Sequence, residues 1–281
     1  KEMNFRNFWT SIDKINFILI LILGLLGVLL SYSVNQNFLI INRHSIFYIF
    51  SLFIIILLSQ QSDKNIRRFA LFGFVILIIL LGSLFLFDYE VKGAKRWLKV
   101  NSFSFQPSEV IKPFFIILSS WGIAQSIQGR KYYLLTTFIL FIMLISLVLM
   151  QPDLGMTILI SATFFCQLFI AGLPILLVIY GLIFILAVSI FAYYFLDHVK
   201  NRIDSFLGNA DSYQIDLSLL AFKSGGILGK GPGQGDLKEK IPDANTDFIF
   251  AVAGEELGLI FCLIILIIIF SIVIKTLLKI L

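Results

Sequence analysis

The sequence predicts an all-α fold, a polytopic membrane helix bundle that forms a single integral-membrane domain over 1–281. Three observations predict it. Mean hydropathy is +0.96. Only 14% of the 281 residues are charged, where a soluble domain has about a quarter. The apolar residues also gather into eight runs, most of them near the ~20 residues that cross a hydrocarbon core at about 1.5 Å rise per residue.

In order, the spans are expected at approximately 16–34, 46–60, 69–88, 108–127, 133–150, 154–172, 175–196 and 247–274. In the first, Gly24 and Gly27 lie about one helical turn apart and mark close packing against a neighbouring helix. The fourth is the least typical, with Glu109, Lys112 and Pro113 in its opening turns. Basic residues set the orientation: Lys1, Arg6 and Lys14 precede the first span, Lys64, Arg67 and Arg68 follow the second, Arg130 and Lys131 follow the fourth, and Lys275 and Lys279 follow the eighth. With an even number of spans these all fall on one side, which the positive-inside rule makes cytoplasmic, N-terminus included. Trp9 and Trp121 then read as interfacial belt residues. The connections 88–107 and 197–246 lie outside, the second being a long extracytoplasmic loop before the eighth span. Within that loop DSYQIDLSLLAF (211–222) interleaves apolar and polar residues as a short interfacial helix does, and glycines 225, 226, 229, 231, 233 and 235 permit tight turns and close backbone approach.

Several function classes are excluded. The net charge of +5 is scattered between apolar segments and forms no nucleic-acid-binding face. Cys166 and Cys262 both lie in apolar runs, so neither a disulfide framework nor a zinc site is expected, and His44 and His198 have no metal-ligand companions. The glycine-rich run lacks GxGxxG and Walker patterns, which argues against nucleotide binding. The chain begins at Lys1 and stops just after a hydrophobic segment, and is expected to be a fragment.

Polar residues placed on this topology form a pattern. Spans four, six and eight enter from the outer side, and each begins with an acid: Glu109 in QPSEVIK, Asp153 in QPDLGM and Asp247 in NTDFIF. Pro107 and Pro152 suit first helical turns, and Ser108 or Thr246 suits an N-cap. A carboxylate at a helix N-terminus is favoured by the macrodipole by about 0.3 to 1 kcal/mol, so capping alone explains any one of the three. Three at one depth, with Lys112 a turn below Glu109 and the cationic KGAKRW (92–97) on the same side, describe an outward-facing polar cavity at headgroup level, fit for a phosphate-bearing lipid-linked substrate. Glu255 and Glu256 fall about 12 Å deeper at helical rise, where charge needs partners or water, and read as bundle-interior hydrogen-bonding groups or as proton or cation handling.

KGAKRW, FQPSEVIKP, QPDLG, the DSYQ…AFKSGGILGKGPGQG run and PDANTDFIFAVAGEELG resemble, in order and spacing, the SEDS family of peptidoglycan glycosyltransferases, the FtsW and RodA proteins. The KGPGQG…IPDANTDF wording is more like the division-type FtsW branch. The resemblance implies about ten spans, of which eight are present here, so that the chain is C-terminally truncated. It implies polymerisation of lipid II, the undecaprenyl-pyrophosphate-linked disaccharide pentapeptide, on the outer face of the bacterial cytoplasmic (inner) membrane, in cell division at the septum. It also implies a class B penicillin-binding protein and other divisome proteins as partners, and no nucleic acid.

Asp247 aligns with the essential aspartate of that family, and Glu109, Lys112 and Asp153 align with polar residues of its central cavity. One departure is Asn245, where the family usually has histidine. Asp247 is the candidate catalytic base. Lys95, Arg96, Trp97, Ser108, Glu109, Lys112, Gln151, Asp153, Gln214 and Thr246 are the candidate substrate-binding residues. Lys95, Arg96 and Lys112, or a divalent cation (Mg or Mn) held by Asp153 or Glu109, would balance the charge of a leaving pyrophosphate. The competing readings are a lipid II flippase or transporter using the same cavity without bond formation, and a non-catalytic division scaffold.

Overall fold

The computed structural model describes residues 9, 12–34, 38–86, 96–100, 103–151, 153–172, 175–195, 200, 204, 213–242, 244 and 246–280. Lys95, Pro152, His198 and Asn245, on which some of the expectations above rest, lie outside that set. The elements are α1 (Lys14–Val34), α2 (Phe38–Ser59), α3 (Asp63–Ser83, continued by a 3-10 turn at Leu84–Leu86), β1 (Leu98–Val100), β2 (Phe103–Phe105), α4 (Pro107–Ile127), α5 (Tyr132–Met150), α6 (Leu154–Ile170), α7 (Ile175–Phe195), α8 (Tyr213–Gly225) and α9 (Ile249–Ile280). Each of the eight expected spans is helical over most of its described residues. Among the described residues five helices are long and apolar enough to cross a membrane, in α1, α3, α4, α5 and α9, and Arg43–Ser59 and Gly155–Ile170 are shorter apolar stretches.

Boundaries move where polar residues were assigned to loops. α2 starts at Phe38 instead of 46, running through Asn42, Arg43 and His44. His44 Nδ1 lies 3.2 Å from Ser31 Oγ, and the Arg43 guanidinium lies 5.6 Å from the Phe47 ring centroid. α3 starts at Asp63 instead of 69 and takes in Lys64, Arg67 and Arg68, with Arg67 stacked 5.3 Å from the Trp121 ring. Long basic side chains extend along apolar surface while keeping their charge in a polar layer, so they do not mark where a helix must stop. The bundle is mostly helical as expected, and one small element was not foreseen: between α3 and α4 lies an antiparallel hairpin pairing Leu98 with Phe105, Lys99 with Ser104 and Val100 with Phe103. Its signal was present as a period-two alternation on either side of Asn101-Ser102.

The chain divides into two compact units, Ser62–Ala210, and Lys1–Gln61 with Asp211–Leu281. In the first unit the buried residues recur at spacings of three or four, which is what puts one stripe of a helix against its neighbours. Ala70, Phe74, Leu77, Leu81 and Leu84 face Ile111, Phe115 and Leu118 of α4, Phe141, Leu144 and Val148 of α5, and Ile160, Phe164 and Leu168 of α6. Phe141 and Phe164 stack with centroids 4.5 Å apart, and Phe115 lies 5.8 Å from Phe164. Gly122 lets Thr137 of α5 approach, because a Cβ there would collide with the Thr137 hydroxyl.

In the second unit α1 packs antiparallel to α9 and is tied to it at both ends. Near one end the Ser33 hydroxyl donates to the Glu256 carboxylate. At the other, Lys275 Nζ is 2.6 Å from Asp13 Oδ1, Lys279 Nζ is 3.7 Å from Asp13 Oδ2, and Asn16 Nδ2 donates to Thr276 Oγ1 at 3.1 Å. Gly24 packs under the ring of Tyr48, whose hydroxyl donates to Leu21 O at 2.8 Å, as the glycine spacing predicts.

The Asp13 clasp has a pH signature. The Lys275 hydrogen bond, then the Asn16 backbone N–H, lower the Asp13 carboxyl from 3.8 to about 2. A carboxyl whose folded pKa is depressed contributes stability above its unfolded pKa and loses it as pH falls through the folded one. Replacing Asp13 with Asn is therefore expected to lower the thermal midpoint of the detergent-solubilised protein at pH 5 and above, with the difference from wild type closing between about pH 4 and pH 2.

Candidate functional site

The polar loop ahead of α9 is not laid over the surface of the second unit. It is threaded into the backbone of α9 itself. Gly258 interrupts that helix with φ 79° and ψ −179°, a conformation essentially restricted to glycine. A break of this kind takes partners from the carbonyls of Glu255 and Glu256 and from the N–H groups of Leu259 and Ile260, which would otherwise bond to each other one turn apart. The loop supplies all four replacements. Lys230 N donates to Glu255 O at 3.0 Å and Gly231 N to Glu256 O at 2.9 Å, while Leu259 N donates to Gly226 O at 3.0 Å and Ile260 N to Ile227 O at 3.3 Å. Such backbone-to-backbone contact leaves no room for side chains, so a Cβ on Gly225, Gly229 or Gly258 would collide with main-chain atoms across the contact.

Glu255 and Glu256 hold the same loop with their side chains. Adjacent residues project about 100° apart on a helix, so the two carboxylates serve different partners. Glu255 is fully buried and accepts from Lys230 Nζ at 2.8 Å, Asp236 N at 3.1 Å, Leu237 N at 3.1 Å and Ser224 Oγ at 3.3 Å. Glu256 is 1% exposed and accepts from Lys238 Nζ at 2.9 Å, Gly233 N at 3.0 Å and Ser33 Oγ. Gly235 lies between the two carboxylates. Hydrogen bonds from Glu255 and then Asp236 raise the Lys230 pKa above its ordinary value, which keeps this loop cation charged. Of the two sequence readings of the glutamates, the hydrogen-bonding one holds, with the correction that their principal partner is the glycine-rich loop.

Asp247 lies in the turn that precedes α9, two residues before the helix begins, and is exposed, as is Thr246. Ala244, three residues before Asp247, is 5% exposed, and Phe248 packs against the cluster of Leu217, Ala221, Ile241, Ala251 and Val252. The expected interfacial helix is α8, which packs on α9 through that cluster, and Gln214 sits in its first turn, partly exposed. Asp247 belongs to one compact unit and Glu109 and Asp153 to the other.

In the unit spanning Ser62–Ala210, Asp153 is the N-cap of α6, its carboxylate accepting from Met156 N at 3.2 Å. Arg96 joins it: Nη1 lies 3.8 Å from Asp153 Oδ2, and Nε donates to Gln151 O at 3.1 Å. Gln151 is 1% exposed, and its Nε2 donates to Leu81 O at 3.3 Å while its Oε1 has no partner among the described residues. Trp97, beside Arg96, is half-buried. Glu109 and Lys112 form an i,i+3 pair at 2.6 Å on α4. Ser108 is not the cap expected of it. Gln106 occupies the N-cap position without a side-chain cap, and Ser108, fully buried in the first turn, accepts from Gln106 Nε2 at 3.1 Å.

Among the described residues no group of three or more His, Cys, Asp or Glu side chains is arranged to hold a metal ion. Asp153 accepts from Met156 N and lies beside Arg96, and Glu109 pairs with Lys112. Sequence reasoning missed the break at Gly258 and the lysine partners of the two glutamates. Glu255, Glu256 and Gly258 are close in sequence, but their partners lie in the glycine-rich loop that precedes them, beyond the reach of any local pattern.

Apolar helices around a polar loop pinned by buried ion pairs define a polytopic membrane protein that keeps an ordered hydrophilic segment against its bundle. The profile of the FtsW/RodA/SpoVE family, described as cell cycle protein, matches residues 6–281, and the chain belongs to that family. It is 35% identical over 267 residues to the Caulobacter vibrioides protein named "Probable peptidoglycan glycosyltransferase FtsW", covering 90% of this chain and 68% of that one. It is 30% identical over 281 residues to a protein of the same name from Wigglesworthia glossinidia brevipalpis, with 94% and 74% covered. The fold is shared with a chain of the solved structure described as "Structural coordination of polymerization and crosslinking by a peptidoglycan synthase complex", at TM-score 0.76 and 20% identity over 95% of this chain and 77% of that one. It is also shared with the Thermus thermophilus rod shape determining protein RodA, at TM-score 0.66 and 21% identity over 95% and 74%.

Two outcomes are expected from this geometry. Gly258→Ala forces a side chain into a glycine-only conformation and into Gly229, and should cost at least about 1–3 kcal/mol, read as a lowered thermal midpoint in detergent. Asp153→Ala loses both the cap and the Arg96 pairing and should cost about 0.5–2 kcal/mol. Asp153→Asn keeps the cap, so its cost in the same denaturation measurement should be smaller.

Proposed function

We propose that this chain is the polymerising part of a division-type peptidoglycan glycosyltransferase that joins lipid II units into glycan strands at the outer face of the bacterial inner membrane. The N-terminus is then cytoplasmic and the glycine-rich loop extracytoplasmic. The observation that carries the activity is the family membership together with the likeness to FtsW proteins over nearly the whole chain. What assigns the base is Asp247, an exposed carboxylate at the head of α9, beside a buried and hydrogen-bonded turn.

The reaction forms a β-1,4 bond from an α-linked pyrophosphate donor, so the acceptor 4-hydroxyl attacks the donor anomeric carbon with inversion. The anomeric C–O bond to pyrophosphate breaks, its electron pair leaves with the phosphate, and the hydroxyl proton passes to the Asp247 carboxylate. Negative charge grows on the pyrophosphate, and Arg96 and Lys112, with Lys95, are the cations assigned to balance it. Trp97, Ser108, Glu109, Gln151, Asp153, Gln214 and Thr246 are the accompanying substrate-binding residues. Any magnesium or manganese ion is assigned to the pyrophosphate itself, since magnesium is commonly held by substrate phosphates plus one or two carboxylates. The partners proposed are a class B penicillin-binding protein and other divisome proteins, at the septum.

Mid-membrane acids such as Glu255 would favour the transport reading if they were open. Glu255 and Glu256 are instead closed by lysines and backbone amides, which supports a fixed scaffold over a proton or ion relay. In the full-length protein, Asp247→Asn is expected to lower lipid II polymerisation by about 100-fold or more, in line with removal of a general base, while leaving expression and thermal midpoint near wild type. Glycan product formed by Asp247→Asn at the wild-type rate would remove the assignment, and transbilayer movement of labelled lipid II without product would favour the flippase.

A further inference from the structure

We infer that Glu255, held by Lys230, is a positioning residue for Asp247. The inference rests on the reading of Asp247 as the base and adds the device that sets where its carboxylate points.

Among the described residues Asp247 makes no hydrogen bond or ion pair of its own, and its side chain is exposed. Its placement is therefore inherited from the backbone that carries it, and the described residues on either side of it are held to α9. At the far end Phe248 O accepts from Ala251 N at 3.0 Å and Val252 N at 3.3 Å, so the residue after Asp247 is already locked to the helix. At the near end the chain is pinned by the Glu255 side chain through the amides of Asp236 and Leu237. Between these points Leu237 O accepts from Lys240 N at 2.9 Å and Ile241 N at 3.0 Å, and Ile241 O accepts from Ala244 N at 3.3 Å. Ile241, 3% exposed, and Ala244, 5% exposed, seat the middle of the segment in the core. Glu255 is fully buried two turns along from Asp247, so it cannot touch a substrate that Asp247 touches, yet it fixes the start of the segment that ends in Asp247.

Lys230 completes the device. It lies 2.8 Å from Glu255 Oε1 and 3.0 Å from the exposed Asp236, and its own backbone N–H fills the vacancy at Glu255 O left by the break at Gly258. Cation, carboxylate and loop backbone are thus joined at a single residue. Releasing either side chain frees the Asp236–Leu237 anchor, while the apolar packing of Ile241 and the continuity of α9 remain.

The test uses the full-length protein in detergent, assayed with purified lipid II, and compares Glu255→Gln, Lys230→Gln, their double variant and Asp247→Asn, each scored per mole of monodisperse folded protein. Displacement of a reacting group by about 1 Å costs on the order of 100-fold in turnover. Glu255→Gln and Lys230→Gln are expected to lower kcat by about 10- to 100-fold while moving KM by less than about 3-fold, and the double variant is expected to be no worse than the more impaired single one. A role confined to folding would instead lower the folded yield and leave kcat per folded molecule unchanged. If Glu255→Gln fails to fold, Lys230→Gln decides, since Lys230 is partly exposed and its loss leaves Glu255 bonded to amides. Wild-type kcat in folded Glu255→Gln and Lys230→Gln, with Asp247→Asn inactive, overturns this inference and leaves the proposed function standing. An Asp247→Asn variant that polymerises at the wild-type rate removes the assignment of the base, and with it this inference, while the polymerase reading stands.

Discussion

The exchange of four backbone hydrogen bonds at Gly258 is the constraint on which the second unit depends. A helix read as membrane-spanning has no water along it to satisfy backbone groups, so an interruption is tolerated only where protein supplies the partners. Here two donors and two acceptors are given up by α9, and the loop returns two acceptors and two donors in matching order. Each bond contributes only about 0.5–1.5 kcal/mol net, but a buried N–H or C=O left unpaired costs about 1–3 kcal/mol. The break and the loop are therefore a single structure: neither is stable in this form without the other. The glycines at 225, 229 and 258 follow from that requirement, because backbones must touch before they can trade bonds.

The two buried glutamates make the same contact specific. Carboxylates with no water around them are costly unless paired and fully hydrogen-bonded, and removing one member of such a pair typically costs about 3–5 kcal/mol. Glu255 and Glu256 each have one lysine and at least one backbone amide from the loop, so no charge is left uncompensated. An apolar contact of equal area would hold the loop against α9 as well, but would allow it to slide. Two directional carboxylates, set about 100° apart and reading amides at Gly233, Asp236 and Leu237, admit only one register. Glu256 extends the lock to α1 through Ser33, and the Asp13 clasp fixes the opposite end of that helix pair.

Much of this was legible in the sequence, and what was not has a common cause. Helix positions followed from apolar runs, because crossing hydrocarbon requires about 20 residues whatever their neighbours. The cap at Asp153, the proline at the start of α4, the interfacial helix α8 and the close packing at Gly24 each rest on interactions within a few residues or on a simple spacing, and each is present. The early starts of α2 and α3 were hidden because charge was equated with loop, although Arg43 and Arg67 extend along aromatic rings while remaining helical. The hairpin at Leu98–Phe105 was passed over because its strands are only three residues each, below the length at which alternation stands out. Gly258 and the partners of Glu255 and Glu256 depend on residues about 20 to 30 positions away, and on Ser33 beyond two hundred, for which no local pattern exists.

The placement of three acids on one short stretch then separates scaffold from chemistry. A carboxylate that takes a proton from a substrate must keep lone pairs open to it, and one that orders a loop must give them away. Glu255 and Glu256 have given theirs to lysines, amides and hydroxyls, in surroundings closed to solvent. Asp247, two turns earlier in the same stretch, is open to solvent. Sequence alone ranks these three residues by depth. The structure ranks them by how much of their bonding capacity is already used, and by that measure Asp247 is the one whose carboxylate stays open to solvent.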